Sequence, residues 1–306
     1  MIVIERFGGC YHGDYVHRER EKKKRNQNRN RDSLITVNRR KITMRLVIQD
    51  NYEKMSLWAA NYIADKINAH KEDRPFVLGL PTGSSPIGVY KELARKNQAG
   101  EVSFANVVTF NMDEYLGLPH EHDQSYWYFM HDNFFNHLVD MKPENIHILN
   151  GMTDNPEEEC RHYEEMIEGF GGIDLFMGGI GVDGHIAFNE PYTSLSSRTG
   201  VRDLTTDTRI VNSRFFDNDP EKVPSQALSV GVGTVFDSKE VLILINGHNK
   251  ARALAKTVEG GVSHKWTCSA LQMHNNAIVA CDEEACGELT VDTYKYFLDI
   301  EKDSRL

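Results

Sequence analysis

The sequence predicts an α/β fold with a doubly wound, mostly parallel sheet and helices on both faces. From Met44 onward, short apolar runs alternate with longer stretches of helical periodicity. That alternation is typical of parallel strands joined by crossover helices. No linker or internal repeat interrupts residues 44–306, so we expect them to form one domain.

Each strand is predicted from an apolar run of a length typical of strands buried on both faces. The predicted strands are 45–48, 75–80, 106–110, 173–177, 241–245 and 277–281. The first helix is predicted where Met55, Trp58 and Tyr62 recur three and four residues apart. Further helices are predicted over about 86–96, through Cys160, Tyr163 and Ile167 as far as Gly169, and over 250–260. Residues 191–227 are polar and follow neither period, which favours a lid or binding loop.

The composition is that of a soluble globular protein. Of the 306 residues, 40% are hydrophobic and 26% are charged, and no apolar run approaches the length of a membrane span. The five cysteines form no C-x-x-C pair, which favours a reducing compartment such as the cytoplasm over a disulfide framework.

The charge is divided unevenly along the chain. Residues 1–43 hold twelve basic and five acidic side chains, whereas the remaining residues hold 23 basic and 40 acidic ones. The basic segment has no apolar period and is predicted to be disordered. A nucleic-acid-binding tail is one interpretation; a start codon assigned too far upstream is the one we favour. The acidic remainder argues against nucleic acid as the main partner.

A glycine-rich turn follows the strand predicted at 173–177. Residues 179–184 have the spacing G-x-G-x-x-G, which is known from dinucleotide-binding turns. Such a site needs a helix that begins at the third glycine, but Pro191 stops any helix after Glu190. We therefore reject a nucleotide cofactor and predict that the turn holds acid–base residues. Asp183 and Glu190 can orient His185 and tune it, although a structural histidine is the commoner case.

The segment after the strand at 75–80 is a candidate phosphate site. Gly83 permits close backbone approach, Ser84 or Ser85 can cap the following helix, and Pro86 suits its first turn. The free N–H groups of such a turn bind anions well. The P-loop lysine is missing, so a nucleotide is not implied, and a plain capped helix is the alternative.

Two further segments carry charged groups after predicted strands. Asp113 and Glu114 follow the strand at 106–110 and could be a base, metal ligands or a solvated loop. Lys250 begins a predicted helix, where a cation opposes the helix dipole; this suggests a bound anion, with solvent exposure of the lysine as the alternative. His120 and His122 are interpreted as surface residues without a metal.

These groups are expected to meet at one edge of the sheet, because ligands of open α/β sheets bind beyond the carboxyl ends of the strands. An anion cradle, two carboxylate sites, a histidine and a lysine fit a phosphorylated small molecule. The chemistry predicted from them is acid–base catalysis without metal or cofactor.

The same segments resemble the glucosamine-6-phosphate deaminase family over essentially all of residues 44–306. The motifs occur in family order: LGLPTGSSP, VTFNMDEYLGLP, DGHIAFNEP, SLSSRT, NSRFFDND and GHNKARAL. The resemblance implies a Rossmann-like fold that binds no nucleotide. It also implies conversion of glucosamine 6-phosphate and water to fructose 6-phosphate and ammonia, in a cytoplasmic homo-oligomer that is often a hexamer.

The resemblance also implies roles for individual residues. His185 would move the proton that opens the sugar ring, with Asp183 and Glu190 orienting it, and Asp113 would transfer a proton from C2 to C1. The phosphate would be held by Gly83, Ser84, Ser85, Arg214 and Lys250. Two other functions stay open: a related sugar-phosphate isomerase or lactonase, and a non-enzymatic sugar-phosphate-sensing regulator.

Overall fold

A seven-stranded parallel sheet is the centre of the fold. The computed structural model describes residues 44–306, and the expectations for residues 1–43 lie outside the described residues. Along the sheet the strands are ordered β1-β10-β9-β6-β2-β3-β5. They span Arg45–Gln49 (β1), Phe76–Leu80 (β2), Val107–Asn111 (β3), Ile146–His147 (β5), Leu175–Gly179 (β6), Val241–Ile245 (β9) and Ala277–Asp282 (β10). The predicted parallel sheet and its six predicted strands are confirmed; the two-residue β5 is an addition at the edge.

Helices alternate with the strands along the chain. They span Tyr52–Ala69 (α1), Ile87–Gln98 (α2), Tyr126–Asn133 (α3), Pro156–Gly169 (α4), Thr206–Asn212 (α5), Val232–Phe236 (α6), Ala251–Val258 (α7) and Val291–Ile300 (α8). Short 3-10 segments include Ser213–Phe215, His248–Lys250, Thr267–Met273 and Glu284–Glu288. None of the helices within residues 44–306 is both long and apolar enough to cross a lipid bilayer.

Alternate side chains of each strand enter two hydrophobic cores, one on each face of the sheet. In β9, Val241, Ile243 and Ile245 belong to one core, and Leu242 and Leu244 belong to the other. All five are fully buried. Because both faces are covered, every position favours an apolar residue, which explains the continuous apolar runs in the sequence.

A second, smaller sheet corrects the expectation for residues 191–227. Strands Gly200–Asp203 (β7) and Gln226–Ser229 (β8) pair antiparallel, and β8 also pairs with Asp113–Tyr115 (β4). Helix α5 lies between β7 and β8. The stretch is therefore structured rather than an irregular loop, and its strands are too short to show a period.

A charged cluster lies at the start of β6. Asp174 is 8% exposed and accepts hydrogen bonds from Arg74 and from the backbone N–H of Val77. Lys239 Nζ lies 2.9 Å from its Oδ1. Burial opposes ionisation, but the hydrogen bonds from Arg74, Val77 and Lys239 outweigh it and lower the pKa of Asp174. The carboxylate is thus charged near neutral pH and stabilises the folded state there.

Replacing Asp174 by alanine is expected to lower the free energy of unfolding by about 3 kcal/mol, because the buried N–H of Val77 loses its acceptor and Arg74 and Lys239 keep only their contacts to the exposed Glu72. Urea denaturation near neutral pH measures the loss. The matched control is Glu165→Ala, which removes an exposed partner of Arg161 and should cost less than about 1 kcal/mol. Equal losses in the two variants would contradict the stabilising role of the cluster.

Candidate active site

The segments that carry the candidate residues meet at one edge of the main sheet. Strands β9, β6, β2 and β3 are neighbours and run parallel, so their carboxyl ends lie together. The residues that follow them are 246–250, 180–190, 81–86 and 112–115. The arrangement expected from the sequence is present.

The turn after β6 has a backbone that glycine makes possible. Gly184 has φ +77°, and the N–H of Gly181 donates to the carbonyl of His185 over 2.9 Å. A Cβ on Gly181 would lie only 2.5 Å from the His185 ring. No helix begins between Gly184 and Glu190, so the turn does not offer the helix N-terminus that a pyrophosphate requires.

Two carboxylates face the same ring nitrogen of His185. Asp183 Oδ1 lies 2.8 Å from His185 Nδ1, and Glu190 Oε2 lies 3.8 Å from it. Nδ1 and Glu190 Oε2 are buried, and neither makes a well-aligned hydrogen bond within residues 44–306. A proton on Nδ1 is therefore favoured by both acids, and Nε2 is the nitrogen left to exchange a proton with a ligand.

Glu190 is held by residues that the sequence analysis did not identify. Its Oε1 accepts hydrogen bonds from the Thr205 backbone and hydroxyl and from the Thr208 hydroxyl. Thr205 is also the N-cap of α5. A threonine at an N-cap three residues before another hydroxyl is a recognisable helix start, and that signal could have located α5.

Asp113 begins β4 and is 5% exposed. Burial, and then the nearby charge of Glu114, raise the pKa of Asp113 well above its ordinary value. In the second sheet it pairs with Ser229, whose Oγ accepts the backbone N–H of Phe188 over 3.0 Å. The second sheet therefore connects Asp113 to the turn that carries His185.

The predicted phosphate loop follows β2 as expected, but its serines do not cap α2. The N-cap of α2 is Pro86, without a side-chain hydrogen bond. Ser85 is buried and donates to Asn246 Oδ1 over 2.7 Å, whereas Ser84 is exposed. The capping expectation was wrong because Tyr52, from α1, accepts the first-turn N–H of Gly88. Gly83 does need its conformational freedom, with φ +92°.

Lys250 completes this loop from the neighbouring strand β9. Its Nζ donates to Ser85 Oγ over 3.2 Å. Burial, and then the charge of Arg214, lower the pKa of Lys250 to about 8, although the charge of Asp282 opposes this shift. Lys250 and the exposed Arg214 thus repel each other, and Lys250 has no ion-pair partner within the part of the chain described. An anion would relieve this repulsion, so the arrangement favours a phosphate.

Within residues 44–306, two groups of side chains have the types and spacing that could hold a metal. One is Asp183, His185 and Glu190; the other is His70, Glu72 and Asp174. The second group is already neutralised by Arg74 and Lys239. In the first group, the 2.8 Å between a carboxylate and an imidazole is a hydrogen-bonding distance. His120 and His122, expected at the surface, are half-buried and belong to neither group.

Known proteins with similar sequences belong to one family. A family described as glucosamine-6-phosphate isomerases/6-phosphogluconolactonase matches residues 50–280. A glucosamine-6-phosphate deaminase from Phocaeicola vulgatus is 64% identical over 261 residues, which cover 85% of this chain and 99% of the relative. One from Glaesserella parasuis is 61% identical over 262 residues, which cover 85% and 99%.

Solved structures share the fold. A monomeric glucosamine-6-phosphate deaminase has a TM-score of 0.76 and 43% identity, covering 79% of this chain and 99% of its own. A 6-phosphogluconolactonase from Trypanosoma cruzi has a TM-score of 0.65 and 16% identity, covering 81% and 98%. The second likeness extends to the fold alone.

Proposed function

The chain belongs to the family of glucosamine-6-phosphate isomerases and 6-phosphogluconolactonases, and we propose that it is a glucosamine-6-phosphate deaminase. The reaction converts glucosamine 6-phosphate and water to fructose 6-phosphate and ammonia. The observation that carries the proposal is the pairing of two acid–base groups, Asp113 and His185, with an anion site at Ser85 and Lys250. Curated deaminases that are 58–64% identical match 85% of this chain.

Ring opening is the first step, and it is assigned to His185. The proton of the anomeric hydroxyl leaves to Nε2, the bond between C1 and the ring oxygen breaks, and the ring oxygen receives the proton. Asp183 and Glu190 hold the opposite nitrogen, which keeps the ring oriented and compensates the positive charge that it carries between the two transfers. The product of this step is an open-chain aldehyde.

Isomerisation is the second step, and it is assigned to Asp113. The C2 proton of the aldehyde is acidic because it lies beside a carbonyl and an ammonium group. Asp113 removes it, a proton of the ammonium group passes to the C1 oxygen, and an enolamine forms; Asp113 then returns its proton to C1, which leaves an iminium carbon at C2. Water then attacks the imine carbon at C2, and ammonia leaves. Since burial raises the pKa of Asp113, its carboxylate is a stronger base than an exposed aspartate.

The phosphate is assigned to the loop of Gly83, Ser84 and Ser85 together with Lys250 and Arg214. Replacing Lys250 by alanine is expected to raise KM about 10- to 100-fold with little change in kcat, because one charge-assisted hydrogen bond contributes about 1.5–3 kcal/mol. Steady-state kinetics measure it. Arg252→Ala, which changes an exposed cation of the same helix, is the control and should leave KM unchanged.

The pH dependence provides a second check of Lys250. Its pKa of about 8 in the empty site means that the cation is lost as the pH rises past that value. kcat/KM of the wild type should therefore fall above about pH 8, and Lys250→Arg, which stays charged, should show no such decline. An unchanged KM in Lys250→Ala would remove this residue from the phosphate site.

Location and assembly remain predictions. We propose a cytoplasmic location, because five cysteines without a C-x-x-C pair favour a reducing compartment. A homo-oligomer, with six subunits by resemblance, is proposed, although one solved relative is monomeric. Light scattering from the purified protein measures the number of subunits.

Ammonia release from glucosamine 6-phosphate by the purified chain tests the proposed function directly. Release coupled to equimolar fructose 6-phosphate is the expected result. Hydrolysis of 6-phosphogluconolactone without ammonia release would instead assign the lactonase activity of the same family. Binding of sugar phosphates with neither reaction would favour the sensing regulator.

A further inference from the structure

Glu114 is a buried carboxylate next to the proposed base, and the mechanism above does not use it. It is 0% exposed and has no ion-pair partner among residues 44–306. Its partners are three backbone N–H groups: those of Tyr115 at 2.8 Å, Tyr126 at 2.9 Å and Trp127 at 2.9 Å. A buried acid without a cation needs an explanation, since such groups are costly.

The N–H groups that Glu114 accepts belong mostly to the first turn of α3. Tyr126 and Trp127 are its first two residues, and the N-cap Ser125 accepts the N–H of Tyr128 over 3.0 Å. Glu114 and Ser125 together satisfy the free donors of this helix start, which also carries the positive end of the helix dipole. Glu114 therefore attaches α3 to β4.

This attachment holds together the two halves of the proposed site. The Tyr126 ring packs against Tyr115 at 4.9 Å and against Phe188 at 6.1 Å between centroids. Phe188 lies in the turn that carries His185. A displacement of α3 would therefore change the position of Asp113 relative to that turn.

Glu114 is also the charged neighbour that acts on Asp113. The titratable groups that face Asp113 from the packed elements are Glu114, together with the phenols of Tyr90, Tyr115, Tyr126 and Tyr163. Burial raises the pKa of each phenol above its ordinary value, so these groups are neutral near neutral pH. Burial also raises the pKa of Glu114, to about 7, although its three N–H donors oppose that rise. When Glu114 is ionised, its charge favours proton uptake by Asp113.

We propose that Glu114 is a positioning residue for Asp113, which ties α3 to β4 and, when it is ionised, places a negative charge beside the base. The proposal deepens the deaminase function and rests on it. An acid is required here because a neutral amide of the same size would keep only part of the hydrogen bonding and none of the charge.

Glu114→Gln tests both parts of the proposal. The amide nitrogen cannot accept an N–H, so at least one contact to Tyr115, Tyr126 or Trp127 is lost. We expect kcat to fall about 10-fold or more, and the acidic limb of the kcat profile to move about one unit toward lower pH as Asp113 becomes a weaker base. KM should change less than about threefold, because the phosphate loop is untouched.

Ser125→Ala is the matched control, since it removes the other cap of α3 without changing charge. It should lower stability by about 1 kcal/mol and leave the acidic limb in place. Glu114→Asp keeps the charge but is too short for all three contacts; it should lower kcat while the limb stays near that of the wild type. If the acidic limb moves as far in Glu114→Asp as in Glu114→Gln, the charge of residue 114 does not set its position.

A measurement that does not depend on turnover separates this proposal from the proposed function. The carboxyl titration of Asp113, followed by carbon-13 NMR, should occur at lower pH in Glu114→Gln than in the wild type. If Glu114→Gln left the titration of Asp113 unmoved and only lost as much stability as Ser125→Ala, Glu114 would be a structural cap of α3. That result would overturn the proposal. Absence of ammonia release from the wild type, with the titration shifted as expected, would overturn only the deaminase function.

Discussion

Asp113→Asn is expected to lower kcat for ammonia release at least about 100-fold, the lower end of the range for loss of a general base. Asparagine has nearly the same size and polarity, so the loop between β3 and β4 should keep its shape. It cannot take the C2 proton, and the buried position, 5% exposed, leaves little room for water to replace it. Substrate binding, measured by isothermal titration, should change little because the phosphate contacts remain.

Asp203→Asn provides the control for this variant. Asp203 belongs to the same second sheet, at the exposed end of β7, and accepts a hydrogen bond from Gln226. That substitution should leave kcat unaltered. If Asp113→Asn retained more than about a tenth of the wild-type kcat, Asp113 would not be the base.

The main sheet could be predicted because its strands obey a local rule. A strand covered on both faces needs apolar residues at every position, and 241–245 satisfies this without any knowledge of its neighbours. The second sheet obeys no such rule. Asp113 pairs with Ser229 across more than a hundred residues, and the strands are three or four residues long, so no local period identifies them.

The sequence predicts which residues follow the strands and so lie at the site, but it does not predict which of them contact each other. The sequence places Asp183, His185 and Glu190 in one turn, and the carboxylates do face one nitrogen of the imidazole. It does not indicate that Ser85 turns to Asn246 rather than capping α2. That choice depends on Tyr52, a residue of another helix. Hydrogen bonds between distant segments carry no signature in a single sequence.

The adjacent acids show the same limit in another form. The sequence left Asp113 and Glu114 as base, metal ligand or solvated loop. Both are buried, which excludes the solvated loop, and their surroundings differ: Glu114 is enclosed by backbone N–H groups, whereas Asp113 faces phenols. Two adjacent acidic residues thus differ in function because different groups pack against each of them.

His185→Gln is expected to lower kcat about 100-fold or more, because it removes the group proposed to transfer the ring-opening proton. Glutamine can hydrogen-bond to Asp183 or Glu190 and so keeps the turn, but it cannot shuttle a proton between the anomeric hydroxyl and the ring oxygen. The residual rate should then be limited by spontaneous opening of glucosamine 6-phosphate.

The two variants should therefore fail at different steps, and the reverse direction distinguishes them. With fructose 6-phosphate and ammonium in heavy water, the open-chain ketose forms more readily without a catalyst than the aldose does. His185→Gln, with Asp113 intact, should still exchange deuterium into C1 of this substrate, whereas Asp113→Asn should not. NMR follows the exchange. The control expected to be unaffected is His264→Gln, which changes a histidine near the turn whose ring meets Tyr192 edge to face. Loss of C1 exchange in His185→Gln would place His185 in the isomerisation step and contradict the division of labour between the two residues.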